Sequence, residues 1–373
     1  MRVALDVSAV PQKIAGAGRY IAEIARLLPE AGVDTTLVTR KNDAQRWSNV
    51  SSAKLSPVVP DNRVQRLAYE ALLLGSSGAA KNADVWHGPH YTMPHGSKTP
   101  CVVTIHDLMF FTNPEWHEKS KVAFFRRAIS YSAKHAKVLV SISDFTARQI
   151  DEFLPGHAPV VVAPLGVDLT RFTTDASDDR LLFEQHALRS DVPYVFFLGT
   201  MEPRKGLDVL LRSFAELAAL DPEVELWLAG QSGWGLKDLE AEIAAHPASA
   251  RIKQLGFVEE AVLPALLRQA RCVAYPSRGE GFGLPVLEAL ACGASVVTSH
   301  GTVMEEIAGP TAQLIPIGDS AALTAVLSEV IASSDSLRAQ RSHQARERAQ
   351  IFTWERSLHQ HLAAYEQANK CEL

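Results

Sequence analysis

Short apolar runs rich in β-branched residues alternate with stretches of helical periodicity along almost the whole chain. The first set is RVALDV, TTLVT, ADVWH, CVVTI, KVLVSIS and VVVAP; after a polar interval, TTDASDDR, the pattern restarts with YVFFLG, VELWLAG, IKQLG, RCVAYPS and ASVVTS. Such alternation predicts βα units built around parallel sheets. The restart predicts two sheets in series, with a boundary between about residues 164 and 190. We expect an α/β chain of two Rossmann-like, doubly wound domains, 1–170 and 171–350, facing a central cleft. Beyond AQLIPIGD the chain is rich in Ala, Leu, Arg and Gln. A terminal helix over 351–373 is expected there, crossing back to the first domain. Open α/β sheets bind ligands outside the carboxyl ends of their strands, so the function should reside where those ends face the cleft.

The length of 373 residues suits two domains at roughly 150 residues each. With 47% hydrophobic and 21% charged residues the composition is that of a globular protein, and a formal charge of −5 argues against a broadly basic nucleic-acid-binding surface. The start, MRVALDVSAV, carries an acid inside its apolar run and reads as a strand rather than a secretory signal. No apolar run reaches the ~18 residues of a membrane span. The cysteines at 101, 272, 292 and 371 lack CxxC spacing, which points to a reducing, cytoplasmic setting.

Three stretches carry candidate chemistry. In RGEGFGLPVLEALACG, residues 278–293, a strand ends in a glycine-rich turn and Pro285 opens a helix. The amides of Phe282, Gly283 and Leu284 then point out of a helix N-terminus, an arrangement that holds a phosphate. Glu288 lies one turn inside; a phosphate would repel it, so its natural partners are ribose hydroxyls on the same ligand. Glu280, ahead of the turn, reaches hydroxyls at the other end. A nucleotide diphosphate carrying a sugar satisfies both. In FLGTMEPRKGLDVLL, residues 197–211, Arg204 and Lys205 stand at a strand's carboxyl end, where a planar fork and a point charge suit a diphosphate. In AVPQKIAGAGRYIAEIARLL, Gly16 and Gly18 permit close approach of backbone to a ligand, but the stretch is not a GxGxxG fingerprint and no acid follows a second strand. A redox enzyme is disfavoured.

Taken together, EGFGLPVLEALACG, EPRKG, GAGRY, TIHDLMFFTNPEWH and FTWERS make the chain resemble a retaining glycosyltransferase of family 4, with the GT-B fold, over nearly its whole length. The resemblance implies that Glu280 contacts the donor sugar, Glu288 the ribose, and Gly283, Leu284 and Lys205 the diphosphate, with Gly199 and Thr200 beside them. It places His106 near the reacting sugar, and it implies front-face transfer with the leaving phosphate oxygen taking the acceptor proton. HDLMFFTNPE and GTMEPRKG are most similar to bacterial mannosyltransferases that use GDP-mannose. A UDP-sugar-dependent member of the family and a non-catalytic sugar-nucleotide-binding protein are the alternatives. An epimerase or a phosphorylase of similar architecture is a further one, the latter needing a lysine-bound pyridoxal phosphate. One departure stands out: many members have arginine where this chain has Thr200, and Arg204 is the substitute cation.

No Asp-x-Asp occurs, so Arg204, Lys205 and the helix N-terminus are expected to neutralise the leaving group without a metal or other cofactor. His87, His90 and His95 in WHGPHYTMPH lack a metal-type spacing and line an acceptor pocket as readily. Ser143 reads as a helix cap. The expected partners are a nucleotide-sugar donor and a glycan or lipid-linked acceptor, without nucleic acid. Residues 117–137, HEKSKVAFFRRAISYSAKHAK, place Phe124, Phe125, Ile129 and Tyr131 among six basic residues. That composition suits either a core-packed basic helix or a peripheral contact with an anionic membrane.

Overall fold

The computed structural model describes residues 1–12, 16–231 and 239–370. The chain divides into two compact units, one made of Met1–Gly166 and the segment from Trp354 onward, the other of Val167–Thr353. Each is built on one sheet. In the first unit the strands are β1 (Arg2–Asp6), β2 (Asp34–Arg40), β3 (Lys54–Val59), β4 (Val85–Gly88), β5 (Cys101–Ile105), β6 (Val138–Ser141) and β7 (Val160–Val162). In the second they are β8 (Tyr194–Leu198), β9 (Glu225–Ala229), β10 (Ile252–Gly256), β11 (Cys272–Tyr275), β12 (Val296–Ser299) and β13 (Gln313–Ile315).

The seven-stranded sheet has the order β3-β2-β1-β4-β5-β6-β7, the six-stranded sheet β10-β9-β8-β11-β12-β13, and every recorded pair is parallel. The expected α/β, GT-B-like architecture of two doubly wound sheets is what the chain adopts. Helices cover both faces of such sheets, so the central strands lack the alternating pattern of a half-exposed sheet. Every residue of β4, β5, β6, β9, β11 and β12 is buried. In each sheet the chain runs outward in one direction, then returns to the middle and runs the other way. The reversal falls between β1 and β4 in the first sheet and between β8 and β11 in the second.

The terminal helix, Trp354–Lys370, packs on the first sheet and is fastened there by a buried polar chain. His361 Nδ1 lies 2.7 Å from the Ser357 carbonyl, which can only accept, so Nδ1 carries the proton and Nε2 is an acceptor. Tyr20 therefore donates to His361 Nε2 at 2.7 Å, and Thr104 must donate to the Tyr20 oxygen at 2.8 Å. His87 Nε2 then donates to Thr104 at 2.8 Å, and Tyr365 donates to His87 Nδ1 at 2.8 Å. Every proton has one place. Both imidazoles are neutral, and burial pushes His361 down to about 4.

Candidate donor site and the family of the chain

At the reversal point of the second sheet, the loop after β8 and the loop after β11 are drawn together. Lys205 follows β8 in a single 3₁₀ turn, Pro203–Lys205, that ends at Gly206 with φ 71°. A Cβ on Gly206 would stand 2.0 Å from the Pro276 carbonyl oxygen, so only glycine lets the two loops close to this distance. Backbone and side chains complete the seam. The Arg278 amide donates to the Arg204 carbonyl at 2.7 Å, Ser277 Oγ donates to the same carbonyl at 2.9 Å, and Arg278 forks onto Asp208 at 2.7 and 2.8 Å.

The seam brings two cations onto one carboxylate. Arg204 Nη1 donates to Glu280 Oε2 at 2.8 Å and to the Gly279 carbonyl at 3.1 Å, while its Nε donates to Glu202 at 2.8 Å. Lys205 Nζ donates to Glu280 Oε1 and, at 2.6 Å, to the Tyr275 hydroxyl, which itself donates to Glu280 Oε1 at 3.1 Å. Ser277 Oγ stands 3.1 Å from the same oxygen. The side chains of Glu280 and Lys205 are each only 9% exposed. Burial alone would raise the Glu280 pKa, but Lys205 and Arg204 outweigh it and hold the carboxylate down to about 2. Glu280 is thus an ionised hydrogen-bond acceptor and a poor base at neutral pH.

Beyond this cluster the helix Leu284–Ala291 begins at Gly283, whose φ of 98° turns the chain from the loop into the helix. Pro285 occupies the first turn, and Val286 is the first residue whose amide returns to the Gly283 carbonyl, at 2.9 Å. Phe282 is buried and meets Phe352 edge-on at 6.1 Å. Glu288, one turn along, is 4% exposed.

Two sequence models match the chain: Glycosyl transferases group 1 over residues 178–348 and Glycosyltransferase Family 4 over 14–171. The O-antigen chain mannosyltransferase B of Escherichia coli is 30% identical over 284 residues, spanning 75% of this chain and 74% of that one. The chain belongs to the GT-B glycosyltransferases. Its fold agrees with that membership. Sucrose-phosphate synthase from Thermosynechococcus elongatus superposes with a TM-score of 0.80 over 100% of both chains at 20% identity. Anabaena Alr3699/HepE, solved with UDP and glucose, does so with 0.76 over 98% of this chain and 99% of that one, also at 20%.

The remaining candidates of this glycosyltransferase stand as follows. Gly199, whose amide donates to the Ala229 carbonyl at 2.9 Å, and exposed Thr200 flank the β8 loop. In the first unit, exposed Gly16 caps the helix Ala17–Glu30 and Gly18 is buried within it; Lys13, Ile14 and Ala15 of that stretch lie outside the described residues. His106 follows β5, 5% exposed, with Nε2 donating to the Pro89 carbonyl at 2.8 Å. Burial pushes it down to about 4, so its ring is neutral at pH 7. His87 spends both ring nitrogens in the buried chain under the terminal helix, His90 meets Tyr91 edge-on at 4.7 Å, and exposed His95 lies tilted against Tyr131 at 4.1 Å, so the three histidines of WHGPHYTMPH each keep a different partner. Ser143 accepts the Thr146 amide at 3.0 Å as a helix cap. Sequence reasoning missed Tyr275 and Ser277, although both stand within five residues of Glu280 in CVAYPSRGEG, and it treated Glu280 apart from the cations that hold it.

Proposed function

We propose that this glycosyltransferase moves a mannosyl group from GDP-mannose to a hydroxyl of a glycan or glycolipid, with retention and without a metal. The observation that carries the reading is the buried Glu280–Arg204–Lys205–Tyr275 cluster at the reversal point of the second sheet, beside the helix N-terminus that bears Glu288. The charges of Glu202, Glu280, Arg204 and Lys205 sum to zero before a ligand arrives. A diphosphate brings two or more negative charges, so Lys205 and Arg204 must share themselves between it and Glu280. As the bond from the anomeric carbon to the phosphate oxygen breaks, charge grows on the diphosphate and those two cations, with the amides of Gly283 and Leu284, stabilise it. The acceptor oxygen bonds to the anomeric carbon and passes its proton to the leaving phosphate oxygen. Glu280 takes no proton; it accepts hydrogen bonds from the sugar. The mannosyltransferase relative supports the sugar, and the resemblance of HDLMFFTNPE and GTMEPRKG to mannosyltransferases that use GDP-mannose supports the guanine nucleotide.

Calorimetric titration tests the donor assignment: GDP should bind more tightly than UDP, and Glu288→Ala should weaken GDP by about 1.5 to 3 kcal/mol, the cost of charged hydrogen bonds to the ribose. UDP binding in preference to GDP would overturn the guanine reading, and an unchanged GDP affinity in Glu288→Ala would remove that residue from the ribose. Turnover should survive an excess of chelator; loss on chelation, restored by Mn²⁺ or Mg²⁺, would overturn the metal-free mechanism.

For location we propose a cytoplasmic enzyme that touches an anionic membrane surface through the helix Lys119–His135. No helix among the described residues is long and apolar enough to cross a membrane. Phe125 stacks on Phe110 at 4.4 Å, Ile129 is buried, and Arg126 donates to the Phe110 carbonyl at 2.7 Å, so these residues hold the helix to its own unit. Phe124, 42% exposed, remains outside beside exposed Lys121 and Arg127. Sedimentation with phosphatidylglycerol vesicles should show salt-sensitive binding that Lys121→Glu with Arg127→Glu abolishes; no binding at low salt would leave the enzyme off the membrane.

A further inference from the structure

The second sheet has a cavity of about 430 Å³ at the end opposite the donor cluster. It lies where the residues just before β8, β11 and β12 meet the segment 174–176, and the helix Asp335–Ala349 forms one wall. All of these segments belong to the unit Val167–Thr353. Arg271 lines the cavity immediately before β11, while Ser277 and Glu280 follow that strand at its other end. The strand between Arg271 and Pro276 spans roughly 17 Å, so a ligand in the cavity and one at Glu280 occupy separate ends of the sheet. The helix Leu284–Ala291 runs from the donor loop to this cavity, which Cys292 and Gly293 line. Ser342 and Thr174 close over Gly293, where a Cβ would collide with Ser342 Oγ and stand 3.0 Å from Thr174 Cγ2.

The polar groups of the walls are unequally used. The half-buried Arg271 guanidinium has no hydrogen bond or ion pair among the described residues, and the hydroxyls of Thr174, Ser295 and Ser342 have no partner there either. Two other charges on the walls are committed. Arg268, 10% exposed, forks onto buried Asp179, and Asp191 pairs with Arg189 at 3.2 Å. Arg338 pairs with Asp335, whose side chain is 92% exposed, and an ion pair so open to water is exchanged at little cost. One cation is therefore free and a second is available, with three hydroxyls on the same walls. That set suits a phosphate monoester, since arginine meets phosphate oxygens with parallel N–H bonds and each hydroxyl can donate to another. The cavity is larger than a phosphate, and no described aromatic or leucine side chain lines it, so the body that the phosphate is joined to is polar.

We propose that this cavity binds a sugar phosphate, with Arg271 and Arg338 on the phosphate. Asp191 and the Gln269 side-chain oxygen, whose amide nitrogen is held by Asp179 at 2.8 Å, accept from the sugar hydroxyls. The site is separate from the donor site and is filled together with it. It does not depend on the mannose or the GDP assignment.

Calorimetric titration of the full chain with mannose 6-phosphate, with and without saturating GDP, tests it. The ester should bind with the same affinity in both conditions. Arg271→Gln should weaken it by about tenfold or more, as loss of a hydrogen bond to a charged group does, with GDP affinity unchanged. Inorganic phosphate should bind more weakly than the ester. A readout that needs no variant is phenylglyoxal footprinting of the wild-type protein: the ester should slow modification of Arg271 and leave exposed Arg180 unaffected. Undetectable binding of the ester, its loss when GDP is present, equal binding by Arg271→Gln, inorganic phosphate binding as tightly as the ester or an unprotected Arg271 would overturn the site. Failure of the wild-type protein to bind GDP would count against the donor reading instead, and the Arg271 results would still decide this one.

Discussion

Glu280→Gln should lower the folding stability of the protein by about 3 kcal/mol, lower turnover by about two to three orders of magnitude and tighten GDP binding. The three effects share one cause. Glutamine keeps the shape of Glu280 but removes its charge, leaving Lys205 and Arg204 buried beside Tyr275 with only Glu202 to oppose them. The size follows from the carboxylate itself. A pKa held at about 2 against an ordinary 4.5 corresponds to about 3 kcal/mol of preference for the charged form. The released cations then attract the diphosphate more strongly, by up to about tenfold in affinity, and GDP should restore part of the lost melting temperature. Thermal melts with and without GDP, paired with calorimetry, check all of this. A weaker GDP affinity in Glu280→Gln would mean that the cations are not the diphosphate's partners.

On acidification, the unit carrying the first sheet should lose its structure before the other. His106 and His361 are each pushed from an ordinary 6.5 to about 4 by burial, so the unfolded chain takes up protons that the folded chain refuses. A depressed histidine contributes stability that is present above pH 6.5 and is lost as the pH falls towards 4. Each amounts to about 3 kcal/mol when fully titrated; His87 and His90 are pushed down by burial too and act in the same direction, while Glu70 of the same unit, pushed up by burial to about 7, takes its proton first in the folded chain and offsets about one histidine. Protonation at His361 Nε2 also turns an acceptor into a donor facing the Tyr20 hydroxyl, which breaks the proton order that fastens the terminal helix. The Glu280 contribution is likewise present above its unfolded value and lost on acidification, but only between about pH 4.5 and 2. Hydrogen exchange at pH 5, corrected for intrinsic rates, should show peptides from β4, β5 and the terminal helix losing protection while those from β8 and β9 keep theirs. Uniform loss across both sheets would contradict the assignment of acid sensitivity to His106 and His361.

Much of the fold was legible because parallel strands buried on both faces leave continuous β-branched runs such as CVVTI and KVLVSIS, which a half-exposed sheet would interrupt. The helix start at Gly283 and Pro285 was legible for the same local reason, since glycine and proline state their backbone geometry directly. What sequence could not give was distance between loops. Arg204 and Glu280 are 76 residues apart, and only the reversal of strand order between β8 and β11, with Gly206 against Pro276, turns them into one ion cluster. His87 and His361 show the converse. Neighbouring histidines in WHGPHYTMPH suggested a shared pocket, but alternation along β4 turned His87 inward to the terminal helix, away from His95.

The most direct test of glycosyl transfer is release of nucleoside diphosphate from a panel of nucleotide sugars by the purified protein, followed chromatographically with and without added glycosides. GDP and mannose should appear slowly from GDP-mannose, faster than UDP from any UDP-hexose, and Glu280→Gln should slow the release by about two to three orders of magnitude while still binding GDP. Tight binding of GDP with no release from any nucleotide sugar, with or without an acceptor, would contradict catalysis and leave a protein that only binds the donor.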